Sequence, residues 1–320
     1  MSHNLKQFLR SMAWSLVAVT MFSALSTAQI NFSQAAVLHW FPGDTAASFA
    51  TGKSPYAVTF DGASIWVANY LDGTVTRYNS NDGTASTYSA GANPYGMAYD
   101  GFNLWVTNFN QHTVTKLRAS DGTIQGTFNV GNNPYGVAFD GTYIWVTNYA
   151  DDTVTKLTTS GTTVGTFVVD HLPAGIAFDG SSMWVACYGV QRLDKLASNG
   201  SILLSVTTNI KSYVYSPNKV AFDGTYIWAS LSGNYVIKVL ASNGAVQGFF
   251  AAGGTGQSGI VFDGVNIWVT TNSPAGVSKI QASTGTLLNT FPTGTTPVGV
   301  AFDGASVWVS SAGTNTVSKF

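Results

Sequence analysis

The sequence of 320 residues contains no glutamate. All 15 acidic residues are aspartate, and only 9% of the residues are charged. So little charge excludes a disordered polyelectrolyte. The lack of glutamate argues against a helix-rich fold, because glutamate is a common helix former. A formal net charge of -1 offers no basic surface for nucleic acid. The chain is instead rich in glycine and aromatic residues, with 34 Gly, 9 Trp, 19 Phe and 14 Tyr. This composition favours strands joined by turns.

Cysteine is also scarce: Cys187 is the only one, so an intrachain disulfide is excluded. Residues 1–28 have the features of a secretory signal peptide, with basic residues near the start, an apolar run over 12–25 and small residues at 26–28. The apolar run is shorter than the ~20 residues of a membrane-spanning helix. We therefore expect a secreted, periplasmic or cell-surface protein with no stable membrane span after removal of the signal peptide.

One motif recurs seven times at intervals of about 40 residues. It consists of an aromatic residue, Asp and Gly, with a Trp five positions after the Asp. The seven Trp residues are Trp66, Trp105, Trp145, Trp184, Trp228, Trp268 and Trp308. A period near 40 with strand-like content is typical of propeller blades, each a four-stranded sheet. The sequence thus predicts an all-β, seven-bladed β-propeller over 44–320, with four antiparallel strands per blade, preceded by an N-terminal extension over 29–43.

The two ends of the chain predict how the ring closes. The last blade stops at Phe320, at the end of its third strand, and so lacks an outer strand. The segment 43–52 matches the outer strands of other blades, because Phe49 precedes Pro55 by six residues, as Phe128 precedes Pro134. We expect the N-terminal strand to complete blade 7, which would hide an exposed sheet edge.

The repeat resembles that of the YVTN/NHL-type bacterial propellers, a class that includes virginiamycin B lyase-like proteins. The resemblance rests on Pro-Tyr-Gly-Val-Ala-Phe-Asp-Gly at 134–141 followed by Ile-Trp-Val-Thr-Asn at 144–148, with copies at 94–101 and 104–108. It covers 44–320 and implies the propeller fold. Function does not follow from it, because propellers carry many unrelated activities.

The resemblance to virginiamycin B lyase-like enzymes implies a His and Glu site with a divalent metal. This sequence has no Glu, and none of His39, His112 and His171 lies in a Glu-His pattern. The catalytic residues of that class therefore have no counterparts here, and we expect a binding or scaffolding module without a catalytic site. A metal-dependent, lyase-like enzyme that lacks the usual Glu/His site is the alternative.

Departures from the repeat indicate where a ligand would bind, since a residue present in all blades serves the blade. Four positions after the repeat Trp, blades 1–4 carry an aromatic residue and blades 5–7 do not. The loops involved open on one face of a propeller, so rings and nearby polar groups gather in one sector. The candidate ligand-binding residues are Tyr70, Phe109, Tyr149, Tyr188, Asn69, Asn108, Asn148, Asp72, His112 and Asp152. Rings beside amides and carboxylates suit a glycan, peptide or protein ligand.

Three further features have two interpretations each. Tyr56, Tyr95 and Tyr135 begin the inner strands of blades 1–3, and either join this surface or wedge between blades. The pair at 151–152 offers the oxygen ligands that calcium favours, or forms a polar turn. We expect the turn and no cofactor, because one loop rarely supplies six ligands. Cys187 is either a nucleophile or a small buried side chain, and we expect the buried side chain, since no base lies beside it in its motif.

Each blade also carries one basic residue, 15 or 16 positions after the turn Asp. We expect these residues at solvated blade edges or in weak ion pairs. A weakly charged exterior leaves a third function open, assembly into surface layers or filaments. Residues 29–43 would then dock on a neighbour or pack on their own ring.

Overall fold

A computed structural model describes residues 47–79, 83–209 and 215–320. The predicted signal peptide over 1–28 and the extension over 29–43 lie outside the described residues, as do 44–46. The described residues form seven four-stranded antiparallel sheets. The innermost strand of each sheet contacts the innermost strands of the two neighbouring sheets, so the sheets close into the predicted ring. No helix in these three ranges is long and apolar enough to cross a membrane.

The strands follow one another in the predicted order. Blade 1 contains β2 (Pro55–Phe60), β3 (Ser64–Asn69), β4 (Thr74–Asn79) and β5 (Ala85–Ser89). Blade 2 contains β6 (Pro94–Tyr99), β7 (Asn103–Asn108), β8 (Thr113–Arg118) and β9 (Ile124–Asn129). Blade 3 contains β10 (Pro134–Phe139), β11 (Tyr143–Asn148), β12 (Thr153–Thr158) and β13 (Thr163–Val168). Blade 4 contains β14 (Pro173–Phe178), β15 (Met183–Cys187), β16 (Arg192–Leu196) and β17 (Ile202–Thr207), with a 3-10 turn at Tyr188–Val190.

The remaining blades repeat this plan. Blade 5 contains β18 (Pro217–Phe222), β19 (Tyr226–Leu231), β20 (Tyr235–Leu240) and β21 (Val246–Ala251). Blade 6 contains β22 (Ile260–Phe262), β23 (Asn266–Asn272), β24 (Ala275–Gln281) and β25 (Leu287–Pro292). Blade 7 contains β26 (Pro297–Phe302), β27 (Val307–Ser311), β28 (Thr316–Lys319) and the N-terminal strand β1 (Ala47–Ala50).

The core lies between adjacent blades. All six residues of β3 are buried, and Ile65, Trp66 and Val67 have no exposed surface. The run Ile-Trp-Val is apolar without alternation because both faces of the strand contact a neighbouring blade. The outer strands, such as β9, are mostly exposed. The second strand of each blade is therefore the most deeply buried strand of its sheet.

The predicted closure of the ring is present. Strand β1 pairs antiparallel with β28, with Phe49 opposite Val317. The Phe49 ring stacks on the Trp308 indole at a centroid distance of 5.5 Å. Phe128 lies against Trp105 at 5.7 Å in the same way. The N-terminal strand thus supplies blade 7 with both the ladder and the aromatic contact that the other blades obtain from their own outer strand.

The repeated basic residues match the expectation only in part: Lys195 has an ion pair, with its Nζ 3.1 Å from Oδ2 of Asp179. Lys156, Lys195 and Lys238 are less than 9% exposed, so the prediction of solvated blade edges is wrong for them. Each Nζ donates to a backbone carbonyl of the next blade, at Ser198, Ala241 and Ala282 respectively. Each also lies within 5.5 Å of the Trp ring of its own blade. The Trp ring stabilises the desolvated ammonium. The hydrogen bond to the carbonyl of the next blade means that these lysines join neighbouring blades.

Candidate functional site

Six aromatic rings of blades 1–3 form one connected group, which we call the aromatic sector. Its members are Tyr56, Tyr70, Tyr95, Phe109, Tyr135 and Tyr149. Centroid distances are 4.8 Å between Tyr56 and Tyr95, and 4.2 Å between Tyr95 and Tyr135. Tyr149 stacks on Tyr135 at 5.5 Å with an interplanar angle of 23°. Of the four rings predicted on this face, those of Tyr70, Phe109 and Tyr149 belong to the aromatic sector, together with the three inner-strand tyrosines.

Two positions of the repeat place these rings. Tyr70, Phe109 and Tyr149 directly follow the second strand of their blades. The backbone N–H of Tyr70 donates to Ser54, and that of Tyr149 donates to Asn133, so each ring sits where the two loops of one face meet. Tyr56, Tyr95 and Tyr135 follow the proline that begins the inner strand. The register shifts between that proline and the fourth strand residue in each of these blades. Such an irregularity changes the direction of nearby side chains.

The rings of the aromatic sector are neither fully exposed to solvent nor fully buried. All six rings are half-buried. Tyr188, in the 3-10 turn of blade 4, is 37% exposed. Burial raises the pKa of Tyr149, and Tyr188 adds to this effect. Both interpretations of the inner-strand tyrosines therefore hold in part. They contact the outer aromatic side chains of the surface, and they also lie toward the axis of the propeller, between blades.

The hydroxyls of Tyr95 and Tyr135 stay neutral at physiological pH. Burial raises the pKa of Tyr135 to about 12. The pKa of Tyr95 is raised further, first by burial and then by the neighbouring Tyr135. The Tyr135 hydroxyl donates to Oδ1 of Asn218 over 2.9 Å, across the gap left by the small Ala174 of blade 4. These phenols therefore act as neutral hydrogen-bonding groups.

The three predicted amides lie below this surface. Asn69, Asn108 and Asn148 have no exposed area. The side-chain nitrogen of Asn148 donates to Thr153 and Thr155 at 3.0 and 2.8 Å, and the other two make the same pair of bonds in their blades. These amides therefore bond within their own blades and do not belong to the exposed surface of the sector.

The predicted carboxylates and histidine occupy the loops around the sector. Asp72 is exposed and accepts from the backbone N–H of Lys53 at 2.6 Å. His112 is exposed, and its Nδ1 accepts from the N–H of Asn133 at 3.1 Å. Both groups hold the loop that enters an inner strand, and both keep further atoms available to a ligand.

The two adjacent carboxylates of blade 3 hold different loops. Asp151 accepts from Asn132 within blade 3. Asp152 accepts from the N–H of Leu172 in blade 4 and forms a 3.0 Å pair with His171. Across the described ranges, no three His, Cys or Asp side chains lie close enough to hold a metal ion.

Cys187 belongs to a buried polar network that replaces the amide–threonine network of blades 1–3. Its Sγ lies 3.4 Å from Oδ2 of Asp194, and Ser205 donates to Oδ1 of the same carboxylate at 2.6 Å. Burial and the Asp194 charge raise the pKa of the Cys187 thiol. A thiol kept protonated is a poor nucleophile, which agrees with the expected role of a small buried side chain.

Sequence reasoning missed Lys219, which lies on the axis of the ring. It lines a cavity of about 150 Å³ together with Tyr56 and Tyr95. Its Nζ lies 4.3 Å from the Tyr135 ring centroid and 5.5 Å from that of Tyr95. Burial lowers the pKa of Lys219 to about 7. The signal was present in the repeat, because the equivalent position of every other blade is Gly or Ala.

No protein-family model matches the chain. No curated protein matches it either. Solved structures are similar in fold. A catalytically inactive virginiamycin B lyase from Staphylococcus aureus, determined with quinupristin, is 17% identical with a TM-score of 0.74, over 86% of this chain and 98% of that chain. A streptogramin B lyase is 17% identical with a TM-score of 0.72, over 86% of this chain and 96% of that one.

A WD40 β-propeller domain of Doa1 is similar to the same degree, with 13% identity and a TM-score of 0.72, over 86% of this chain and 95% of that domain. Propellers of lyases and of a WD40 protein thus match equally well. Identities this low show the fold alone. The predicted resemblance to virginiamycin B lyase-like propellers is therefore confirmed as a likeness of architecture.

Proposed function

We propose that the protein is a binding module that holds a glycan on the outer face of the aromatic sector, at Tyr70, Phe109 and Tyr149, with Tyr188 at the edge. The observation that carries this proposal is the continuous contact of six half-buried rings on one face. Rings that support each other lose little freedom when a ligand binds, which favours recognition by stacking.

The polar groups beside the rings fit a sugar. Asp72 and Asp151 are exposed carboxylates held by backbone N–H groups, and Gln111 holds the equivalent place in blade 2. A sugar ring has an apolar face that stacks on an aromatic ring, and its hydroxyls donate to carboxylates and amides at the rim. A peptide or protein is the competing occupant.

The experiment is a glycan array probed with the mature chain, followed by titration of the best binder. Truncating Tyr70→Ala and Tyr149→Ala together removes two stacking faces, each worth about 1 kcal/mol, so the dissociation constant should rise at least tenfold. The matched control is Phe102→Ala, which removes an 80% exposed aromatic residue from the turn on the opposite face. Equal loss in the control, or none in the double variant, would refute the assigned surface. Binding to a peptide array alone would replace the glycan.

We also propose that the protein acts after export, on the strength of the sequence features of residues 1–28. N-terminal sequencing of the protein recovered outside the cytoplasm tests this directly. A new N-terminus at or near residue 29 is expected, and an uncleaved chain recovered from the cytoplasm would contradict export.

Self-assembly is the second candidate, and exposed apolar residues of the outer strands favour it. Ile124, Val164, Leu203 and Leu288 are each at least 50% exposed on the rims of four different blades. Apolar residues repeated along the outer rim of the propeller could form a contact surface between two copies of this chain. Light scattering of the mature protein at rising concentration should show a mass increase that Leu203→Asp suppresses, whereas a constant monomer mass would rule the candidate out.

A further inference from the structure

The third residue of the inner strand breaks the seven-fold pattern at one blade only. Six blades have a small residue there, namely Ala57, Gly96, Gly136, Gly175, Gly259 and Gly299. The inner strands approach closely at this position, since a Cβ on Gly96 would collide with the carbonyl oxygen of Tyr135. Blade 5 has Lys219 instead. A single long cationic side chain thus projects from a position at which steric crowding favours glycine.

Lys219 is held in the same way as its glycine counterparts. Its backbone N–H donates to the Ser230 hydroxyl over 3.1 Å, and that hydroxyl donates to the carbonyl of Ser258 in blade 6. In blade 3, Thr147 accepts from Gly136 and donates to Ala174 in the same pattern. The inner strand of blade 5 also has the register shift of blades 1–3, here between Pro217 and Val220, so the difference in blade 5 is the amine itself.

The Lys219 side chain lines the axial cavity beside two tyrosine rings. No carboxylate pairs with Lys219 among residues 47–79, 83–209 and 215–320, and burial is what lowers its pKa. The Tyr95 and Tyr135 rings cover one side of it. Below them the wall is apolar, with Met97, Ile176 and Ile260 from three blades. An ammonium without a partner in such surroundings is unfavourable.

We propose that the axial cavity binds a small organic monoanion, a short-chain carboxylate, with the carboxylate on Lys219 and the hydrocarbon on the apolar wall. The anion supplies the charge partner that the fold does not. The cavity of about 150 Å³ is smaller than the ~300–1,000 Å³ of sites for drug-sized ligands, so the ligand has few atoms. This ligand is distinct from the glycan of the outer face.

Such binding has a defined pH dependence. The unliganded Lys219 has a pKa of about 7, and an adjacent carboxylate raises the pKa of the amine. Above pH 7 the complex must take up a proton, so affinity should fall about tenfold per pH unit. The other titratable groups that face the amine are Tyr56, Tyr95 and Tyr135, whose pKa values are raised, so they stay neutral over this range.

The experiment is calorimetric titration of the mature protein with propionate, with propionamide as the uncharged probe of the same shape. We expect propionate to bind at pH 6.5, to bind about a hundredfold more weakly at pH 9, and propionamide not to bind. Lys219→Met should abolish propionate binding. Lys53→Met, which removes an exposed lysine from the same face, should leave it unchanged.

Three results would overturn the proposal. These are no propionate binding at pH 6.5, equal binding of propionate and propionamide, and undiminished binding by Lys219→Met. The first two need only the wild-type protein, so they decide the matter even if the variant fails to fold. Neither probe is a glycan, so failure here is separate from failure of the proposed outer surface.

Discussion

In blade 3 the indole Nε1 of Trp145 donates to Oδ2 of Asp140 over 2.6 Å. The other oxygen of that carboxylate accepts from the backbone N–H groups of Thr142 and Tyr143 at 2.8 and 2.7 Å. One Asp thus closes the turn between the first two strands and satisfies the buried indole. The other six blades repeat the indole bond at 2.6 to 2.9 Å. The same carboxylate therefore serves the turn and the core of every blade.

The first prediction concerns this shared carboxylate. Asp140→Ala should lower the free energy of unfolding by about 2 kcal/mol, because a buried indole donor and two turn donors lose their acceptor. Urea unfolding followed by tryptophan fluorescence measures the loss. Asp121→Ala removes a carboxylate from an exposed turn of blade 2 and is the matched control. Its loss of stability should be smaller, because water can replace an exposed carboxylate as the acceptor for its partners. Equal stability of the two variants would contradict the double role of Asp140.

The second prediction concerns closure of the ring by Phe49. Phe49→Ala should lower the free energy of unfolding by about 2 kcal/mol, because the Trp308 indole loses its stacked neighbour. Deletion of residues 29–52 should lower stability further, since β28 would then have a free edge. Thermal unfolding of both variants checks this. Ser48→Ala, which changes an exposed side chain on the same strand, is the control, and a deletion that melts like the intact chain would disprove this closure.

The third prediction concerns Asp194, which has no exposed surface. Burial raises the pKa of its carboxyl. The folded state therefore holds the proton more tightly than the unfolded chain, whose Asp pKa is about 3.9. The stability from this group is complete below that pH and is lost as the pH rises through the folded value.

Asp194→Asn lacks this titration and tests the sign. The difference in unfolding free energy, wild type minus variant, should fall as the pH rises from 4, by at most about 1.4 kcal/mol per pH unit. Denaturant unfolding at several pH values measures it. Asp121 gives the opposite control, because hydrogen bonds from Thr123 hold its pKa low, at about 2. A difference that rises with pH for Asp194→Asn would show that the buried carboxyl is stabilised as an anion.

The candidate site was only partly predictable. Tyr70, Phe109 and Tyr149 could be assigned to one face, because their position in the repeat determines the loop that carries them. Asn148 was assigned to the same face from its position in the repeat, yet its side chain turns inward and donates to Thr153 and Thr155. Position in a repeat specifies a loop or strand end, while the direction of a side chain depends on which partners lie within hydrogen-bonding distance.

The sequence alone determined the blades and their number, because an Asp-Gly turn and a Trp recur in it with a fixed separation. It also determined how the ring closes, because the segment 43–52 has the pattern of an outer strand and the last blade lacks one. The tertiary structure alone decided the roles of the lysines and of the axis. Lys156 meets a carbonyl of the next blade, and Lys219 meets Tyr95 and Tyr135 of two other blades. Those contacts join residues more than 40 positions apart in the chain, so they exist only when separate blades have packed against one another.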